Sequence, residues 1–105
     1  MYRRIEVMTV DGWRGPMGAL RRMGNQAPFK LRREVSGNMG CAGSLTFGTL
    51  RSGNGRFAWT DHGWDVYGQH ILCAYQEHGL TEVRVVLLDG EILYQDEHQV
   101  ICLQQ

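Results

Sequence analysis

Apolar and polar residues alternate along several short stretches of the chain, a pattern that predicts β-strands. Residues 2–10 place Ile5 and Val7 on one face and Glu6 on the other, with a bulge expected where the alternation breaks near the end. Residues 29–36 alternate in the same way, apart from one arginine. Further strands are expected at residues 45–50, 57–59, 82–88, 91–95 and 100–103.

Residues 64–78 show helical spacing instead. Large apolar side chains recur there every three or four positions, which predicts an amphipathic helix that stops at Gly79. Asp61 is the expected N-terminal cap of this helix. A shorter helix is expected after Pro16, ending at Gly24. The apolar stripe of the main helix consists of Trp64, Tyr67, Ile71, Ala74, Tyr75 and His78.

Glycine-containing pairs mark the expected turns. Residues 52–55, Ser-Gly-Asn-Gly, form the strongest hairpin signal in the chain. Asp89-Gly90 predicts a second hairpin that joins residues 82–88 to residues 91–95. The 82–88 segment ends in residues that are apolar on both faces, as is typical of a central, doubly covered strand.

The order of strands, one main helix and further strands predicts an α+β domain that spans residues 1–105 and has an antiparallel sheet. One helix at residues 64–78 cannot cover about six strands. We therefore expect the sheet to curve into a partial barrel, or to bury its second face in a homodimer through the C-terminal strands. Burial beneath residues 13–27 is the alternative. The residues expected at the dimer contact are Val86, Leu88, Ile101 and Leu103.

Composition indicates one soluble domain. The chain has 105 residues, of which 43% are hydrophobic, and no net charge. Its longest apolar run is five residues, Ile71 to Tyr75, whereas a membrane-spanning helix needs about 20. No apolar leader is expected from the basic start. The three cysteines, Cys41, Cys73 and Cys102, match no metal or redox spacing, so a reducing, cytoplasmic compartment is expected.

Charge is divided unevenly along the chain. Residues 1–56 carry a balance of +7 and residues 57–105 a balance of −7. Arginines near Tyr2, Trp13 and Phe29 suit phosphate contacts and base stacking, so one hypothesis is an arginine-mediated nucleic-acid binder through residues 1–56. The opposing interpretation is that both halves fold together and that the arginine bias reflects a GC-rich coding source. No nucleic-acid motif is present, and nucleic acid is not the expected partner.

A second hypothesis is enzymatic. Cys41 lies in a small-residue loop at residues 37–44, and a nearby imidazole from His62, His70 or His98 would activate its thiol. This pattern describes a thiol-dependent hydrolase centred on Cys41 and His62. No further spacing supports it, so no catalytic residue is assigned and a binding domain is expected rather than an enzyme.

Metal binding has less support in the sequence. His70, Cys73 and His78 share one face of the main helix, but no His-Glu-x-x-His or paired Cys-x-x-Cys motif is present. We therefore expect no metal and no cofactor. A metal held by His70 and Cys73 would take its third ligand from His62, Asp61 or Asp65. The acids that could form a catalytic pair, interpreted as solvated turn residues, are Asp61, Asp65, Glu91, Asp96 and Glu97.

The leading hypothesis is a small-molecule pocket beside the start of the main helix. Aromatic residues gather there, and acidic residues at the mouth suit a cationic or amphipathic ligand. The alternative is that these rings form the core. The residues assigned to ligand binding are Met39, Phe47, Trp59, Asp61, His62, Trp64 and Tyr67. The sequence thus predicts a small, self-associating domain that binds a small ligand or a protein partner.

Overall fold

An antiparallel sheet with helices against one face makes up the described part of the chain. The computed structural model describes residues 1–39, 55–79 and 81–103. The strands are β1 (Tyr2–Thr9), β2 (Gly12–Arg14), β3 (Gly55–Trp59), β4 (Val83–Leu88), β5 (Ile92–Gln95) and β6 (Gln99–Leu103). The helices are α1 (Pro16–Met23), α2 (Phe29–Asn38) and α3, which runs from Asp61–Gly63 through a π-helical stretch, Trp64–Gly68, to Gln69–His78.

The strands pair in the order β4, β1, β3, β6 and β5, and all these pairings are antiparallel. On the side of β1 that faces away from β4, β2 pairs with the end of the strand, whereas β3 meets its start, where Arg3 lies opposite Trp59. The described sheet is not closed into a barrel. These observations confirm the predicted α+β class and the curved antiparallel sheet.

The three helices cover the face of the sheet that carries Ile5 and Val7, both almost fully buried. α3 directs Ile71 and Tyr75 into the same core. The Tyr75 hydroxyl donates a 2.6 Å hydrogen bond to the carbonyl oxygen of Pro16, which ties α3 to the start of α1. The predicted main helix and the short helix after Pro16 are therefore confirmed. The other buried residues of this core are Ala19, Leu20, Ala27, Leu31, Val35, Phe57, Trp59 and Ile101.

Residues 29–36 form a helix, so the predicted strand there is wrong. α2 buries Leu31 and Val35, which lie four positions apart and therefore share one helical face. Phe29, which the strand assignment put on the buried face, is 78% exposed. Arg33, the residue that broke the alternation, lies on the exposed face of α2. In so short a segment, the same apolar positions can fit both the spacing of a strand and the spacing of a helix. Packing against α3 selects the helix.

The predicted hairpin at Asp89-Gly90 is also wrong. β4 pairs with β1, whereas β5 pairs with β6. After β4 the chain crosses to the end of β6, where the amide of Leu103 donates to the Glu91 carbonyl at 2.7 Å. β4 is consequently an edge strand of the described sheet, not a central one, and its Val85 and Leu87 are 40% and 55% exposed.

A smaller apolar cluster lies on the face of the sheet opposite the helices. It contains Ala58, Leu88, Val100 and Cys102, with Tyr2 and Val86 packed against it. Three of the four residues expected at a dimer contact are thus accounted for within one chain, because Leu88 and Val86 pack in or against this cluster and Ile101 lies in the helix-facing core. Cys102 is buried and Cys73 is exposed.

Several predictions concern residues outside the described ranges. They include most of the 37–44 loop, the strand at residues 45–50 and the start of the hairpin at residues 52–55. α2 extends to Asn38, so the loop begins later than expected. Among the described helices, none has the length and apolar character needed to cross a membrane.

Candidate functional site

Thr60 joins the start of α3 to the turn between β5 and β6. Its hydroxyl accepts a 3.0 Å hydrogen bond from the amide of Gly63 and donates a 2.7 Å bond to the carbonyl oxygen of Glu97. The Thr60 amide donates to the carbonyl oxygen of His98 at 3.1 Å. Thr60, and not Asp61, is therefore the helix cap, which corrects the sequence prediction. Asp61 instead forms an exposed ion pair with Arg3 at 3.1 Å.

The backbone of α3 approaches this turn very closely. A Cβ atom placed on Gly63 would lie 1.8 Å from the carbonyl oxygen of His98, so only glycine fits there without moving the backbone. The first turn of α3 therefore lies directly against the backbone of His98, which places His62 and His98 on neighbouring pieces of backbone.

Asp96 holds the turn itself. Its carboxylate accepts hydrogen bonds from the amides of His98 and Gln99 at 2.9 and 3.0 Å, and from the side chains of Gln99 and Tyr94 at 2.7 and 2.8 Å. Burial acts to raise the pKa of Asp96, but these bonds outweigh it, and the pKa lies below its usual value. Asp96 therefore stays charged and orders the turn at neutral pH.

Three side chains with metal-ligating atoms meet where the turn and the helix join. His62 Nε2 lies 3.4 Å from a carboxylate oxygen of Glu97, and the rings of His62 and His98 are 5.0 Å apart. One ligand atom from each of the three lies within 4.8 Å of the other two. His98 is partly buried, whereas His62 and Glu97 are exposed. We call these three residues the His–Glu–His cluster.

Aromatic rings support one side of this cluster. The Tyr67 ring meets the His98 imidazole edge-on at 5.1 Å, and lies 6.2 Å from the ring of Trp59. The guanidinium of Arg3 lies over the Trp64 ring at 5.6 Å. The backbone hydrogen bonds of His98 and the contact between its imidazole and the Tyr67 ring together restrict the directions in which the ring nitrogens of His98 point.

The residues assigned to a ligand pocket are only partly brought together. Asp61, His62, Trp64 and Tyr67 all lie in the first turns of α3. Trp59 lies beneath them and is 1% exposed, and its indole N–H has no hydrogen-bond partner among the described residues. Met39 packs against the core at the end of α2. Phe47 and Cys41 lie outside the described ranges.

Three surface depressions lie elsewhere on the molecule. The largest has a volume of 470 Å³ between the end of β1 and the ends of α1 and α3, with Met8, Met23 and His78 in its lining. Another, of 150 Å³, separates α2 from α3, and a third, of 120 Å³, lies beside Arg56 and Leu87. None of these three includes a residue of the His–Glu–His cluster.

The sequence pattern points to one member of the cluster, His62, as a ligand residue. It suggests His98 only as a partner for Cys41 and Glu97 only as a solvated acid. The pairing of β3 with β6 brings them together, because it sets Trp59 opposite Gln99 and so places the segments beyond both strand ends side by side. In the described chain, the ligand atoms of His70, Cys73 and His78 do not all lie within 4.8 Å of one another.

Comparison of the chain with protein-family models, with curated proteins and with solved structures found no match.

Proposed function

We propose that this protein is a small binding domain rather than an enzyme, and that its ligand is a divalent transition-metal ion held by the His–Glu–His cluster. The convergence of two imidazoles and one carboxylate within 4.8 Å of one another carries this proposal. This proposal departs from the sequence-based expectation of no metal, because the cluster is formed by residues that are distant in the sequence.

The ligand set suits zinc. Imidazole nitrogens and carboxylate oxygens bind Zn²⁺ at about 2.0–2.2 Å, so tetrahedral ligands lie roughly 3.3 Å apart. His62 and Glu97 already have this separation, at 3.4 Å. His98 offers a third ligand atom within 4.8 Å of the other two, and the side chains of His62 and Glu97 are exposed and can turn toward a shared ion. Water or a group from a partner would supply the fourth ligand of a tetrahedral zinc ion.

The surroundings of the cluster favour binding because they reduce its entropic cost. The hydrogen bonds of Thr60 and Asp96 fix the backbone of Glu97 and His98 before any ion arrives. The remaining entropic cost of binding is the loss of side-chain rotation at His62 and Glu97. Ligands on adjacent, rigid backbone segments are the arrangement that a stable metal site needs.

Titration calorimetry with Zn²⁺ tests this proposal directly. We expect one ion to bind per chain. Loss of a residue that only hydrogen-bonds to a metal ligand weakens metal binding roughly 10- to 100-fold, and His98→Ala, which removes a ligand itself, should weaken it more. His62→Ala should act similarly. His70→Ala is the matched control, because His70 is an exposed histidine of the same helix outside the cluster. Equal losses in the His70 and His98 variants, or no zinc binding by the wild type, would reject the proposal.

Self-association is a second proposal, supported by the two outer strands of the described sheet. β4 exposes Val85 and Leu87, and β5 exposes Ile92 and Leu93, which are 42% and 41% exposed. Edge strands that carry apolar side chains and no lysine or proline readily pair with another chain. We expect sedimentation to show a concentration-dependent dimer that Leu87→Lys abolishes, while Val66→Lys, at an exposed apolar residue of α3, leaves it intact. A monomer at every concentration would refute it.

Two further expectations remain proposals. A reducing, cytoplasmic location is consistent with Cys73 and Cys102, which are both unbonded. The thiol-dependent hydrolase depends on Cys41, which is outside the described ranges, and on His62, whose imidazole faces Glu97. The enzymatic alternative requires that the wild type has a hydrolase activity and that Cys41→Ala abolishes it.

A further inference from the structure

Three arginines surround one glutamate on the face of the sheet opposite the helices. Glu6 of β1 is 4% exposed. Arg84 approaches one of its carboxylate oxygens through Nε and Nη2, at 3.0 and 2.7 Å. Arg4 Nε and Arg56 Nη2 approach the other oxygen at 3.0 and 2.8 Å. The arginines come from three neighbouring strands, so the pairing of the sheet fixes their relative positions.

The charges in this cluster do not balance. One carboxylate neutralises one of the three guanidinium groups, which leaves an excess of two positive charges. Arg4 is the most buried, with a side chain that is 14% exposed, and it also donates to the carbonyl of Phe57 at 3.0 Å. Burial and the neighbouring Arg56 lower the pKa of Arg4, against the opposing effect of Glu6. A desolvated cation with an incomplete counter-charge attracts a further anion.

The two outer arginines are accessible and have unused donors. The side chains of Arg56 and Arg84 are 29% and 48% exposed. Among the described contacts, Arg56 donates through Nη2 alone, which leaves Nε and Nη1 for a ligand. The guanidinium of Arg84 lies 4.0 Å from the centre of the Trp13 ring, which holds its plane in place and leaves Nη1 free of described acceptors.

We propose that Arg56 and Arg84, with Arg4 behind them, bind a phosphate-type oxyanion at the outer edge of this cluster. Both guanidiniums contact the same Glu6 carboxylate, so a single tetrahedral anion of similar size can bridge them. Arginine binds phosphate oxygens through paired N–H donors, and a fixed guanidinium plane lowers the cost of ordering it. The oxyanion comes from free phosphate or from a nucleic-acid backbone. This site is independent of the His–Glu–His cluster.

The test measures binding of inorganic phosphate, and separately of a short single-stranded DNA oligonucleotide, at constant ionic strength. We expect Arg56→Gln and Arg84→Gln each to weaken binding about tenfold or more, since a hydrogen bond to a charged group is lost. Arg33→Gln is the matched control, because Arg33 is exposed on α2. Each variant leaves two arginines on Glu6, and thermal unfolding checks that the fold is retained. Should one variant unfold, the other still tests the site.

The outcomes distinguish the sources of the anion. If the wild type binds phosphate and both Arg56→Gln and Arg84→Gln lose that binding, a free oxyanion is identified as the ligand. Oligonucleotide binding that both variants lose, with no measurable phosphate binding, identifies a nucleic-acid backbone as the source. Either result supports the site. Absence of binding for both anions, or a loss in Arg33→Gln as large as in Arg56→Gln, overturns it, and neither outcome bears on zinc binding.

Discussion

Glu6 shows how strongly the environment of one residue changes its chemistry. Burial acts to raise the pKa of its carboxyl group, but hydrogen bonds from Arg84, Arg4 and Arg56 outweigh burial and lower the pKa from 4.5 to about 2. The sequence alone shows an acid alternating with apolar residues on a strand. It does not show the three arginines, because each comes from a different strand or lies two positions away.

The lowered pKa of Glu6 predicts a loss of stability in acid. The unfolded chain takes up the proton at a higher pH than the folded chain does, so the contribution of Glu6 is complete above about pH 4.5 and disappears as the pH falls toward 2. The shift corresponds to about 3 kcal/mol of unfolding free energy. Denaturant titrations from pH 6 to pH 2 should show this loss in the wild type and a flatter profile in Glu6→Gln.

The control for this prediction is Glu34→Gln, at an exposed acid on α2. Its pH profile should follow that of the wild type. Parallel profiles for the wild type and Glu6→Gln would show that the arginine contacts do not stabilise the ionised carboxylate.

His62 and His98 illustrate what could and could not be predicted about the candidate site. Aromatic and acidic neighbours in the sequence directed attention to His62, and that argument is local. His98 and Glu97 become its neighbours only through the pairing of β3 with β6, which joins segments about forty positions apart along the chain. Local sequence patterns carry no signal for such a contact, so the sequence alone does not predict the His–Glu–His cluster.

At the scale of elements, the main helix and most strand positions were predictable from periodicity, whereas the type of α2 and the pairing of β4 and β5 were not. α3 has a stripe of several turns, and β1, β3 and β6 were found near their observed positions. The sequence pattern predicts a strand at α2 because its three apolar residues in eight positions, Phe29, Leu31 and Val35, fit strand spacing, although Leu31 and Val35 also fit helical spacing. The Asp89-Gly90 pair has good turn chemistry, but β1 and β6 provide the pairing partners of β4 and β5 instead.

Glycine at position 68 tests how α3 packs on the sheet. A Cβ atom there would lie 2.7 Å from the Trp64 ring and 2.9 Å from the Trp59 ring. We therefore expect Gly68→Ala to destabilise the protein by about 1–3 kcal/mol, since overpacking outweighs the roughly 1 kcal/mol gain in helix propensity. Chemical denaturation gives the change in unfolding free energy.

Gly37→Ala is the matched control within α2. A Cβ atom at Gly37 meets nothing within 4 Å, so only the gain in propensity remains, and we expect stabilisation of about 0.5–1 kcal/mol. A stabilising Gly68→Ala would show that α3 lies farther from Trp59 than described.

At the scale of the whole molecule, the opposite charges of the two sequence halves meet in the fold. Arg3 pairs with Asp61, and Lys30 approaches Glu77 at 4.0 Å, so in both pairs a base of the first half meets an acid of the second. Each of these pairs joins a residue before position 57 to one after it. These ion pairs are contacts between the two halves of the sequence, whereas the Glu6 cluster keeps an excess of two positive charges.

The topology also explains why the His–Glu–His cluster lies at one end of the sheet. β3 leads directly into α3 and β6 begins beside it, so the chain places two histidines and a glutamate where these elements meet. Composition and motif spacing do not contain this information. A non-local antiparallel pairing creates the site, and the hydrogen bonds of Thr60 and Asp96 hold it in place.

Imidazole nitrogen NMR shifts during a Zn²⁺ titration test the central claim most directly. With one equivalent of zinc, the ring nitrogens of His62 and His98 should shift to values typical of metal coordination, while those of His70 and His78 stay unchanged. Unshifted His62 and His98 nitrogens, or equal shifts at all four histidines, would contradict the proposed metal centre.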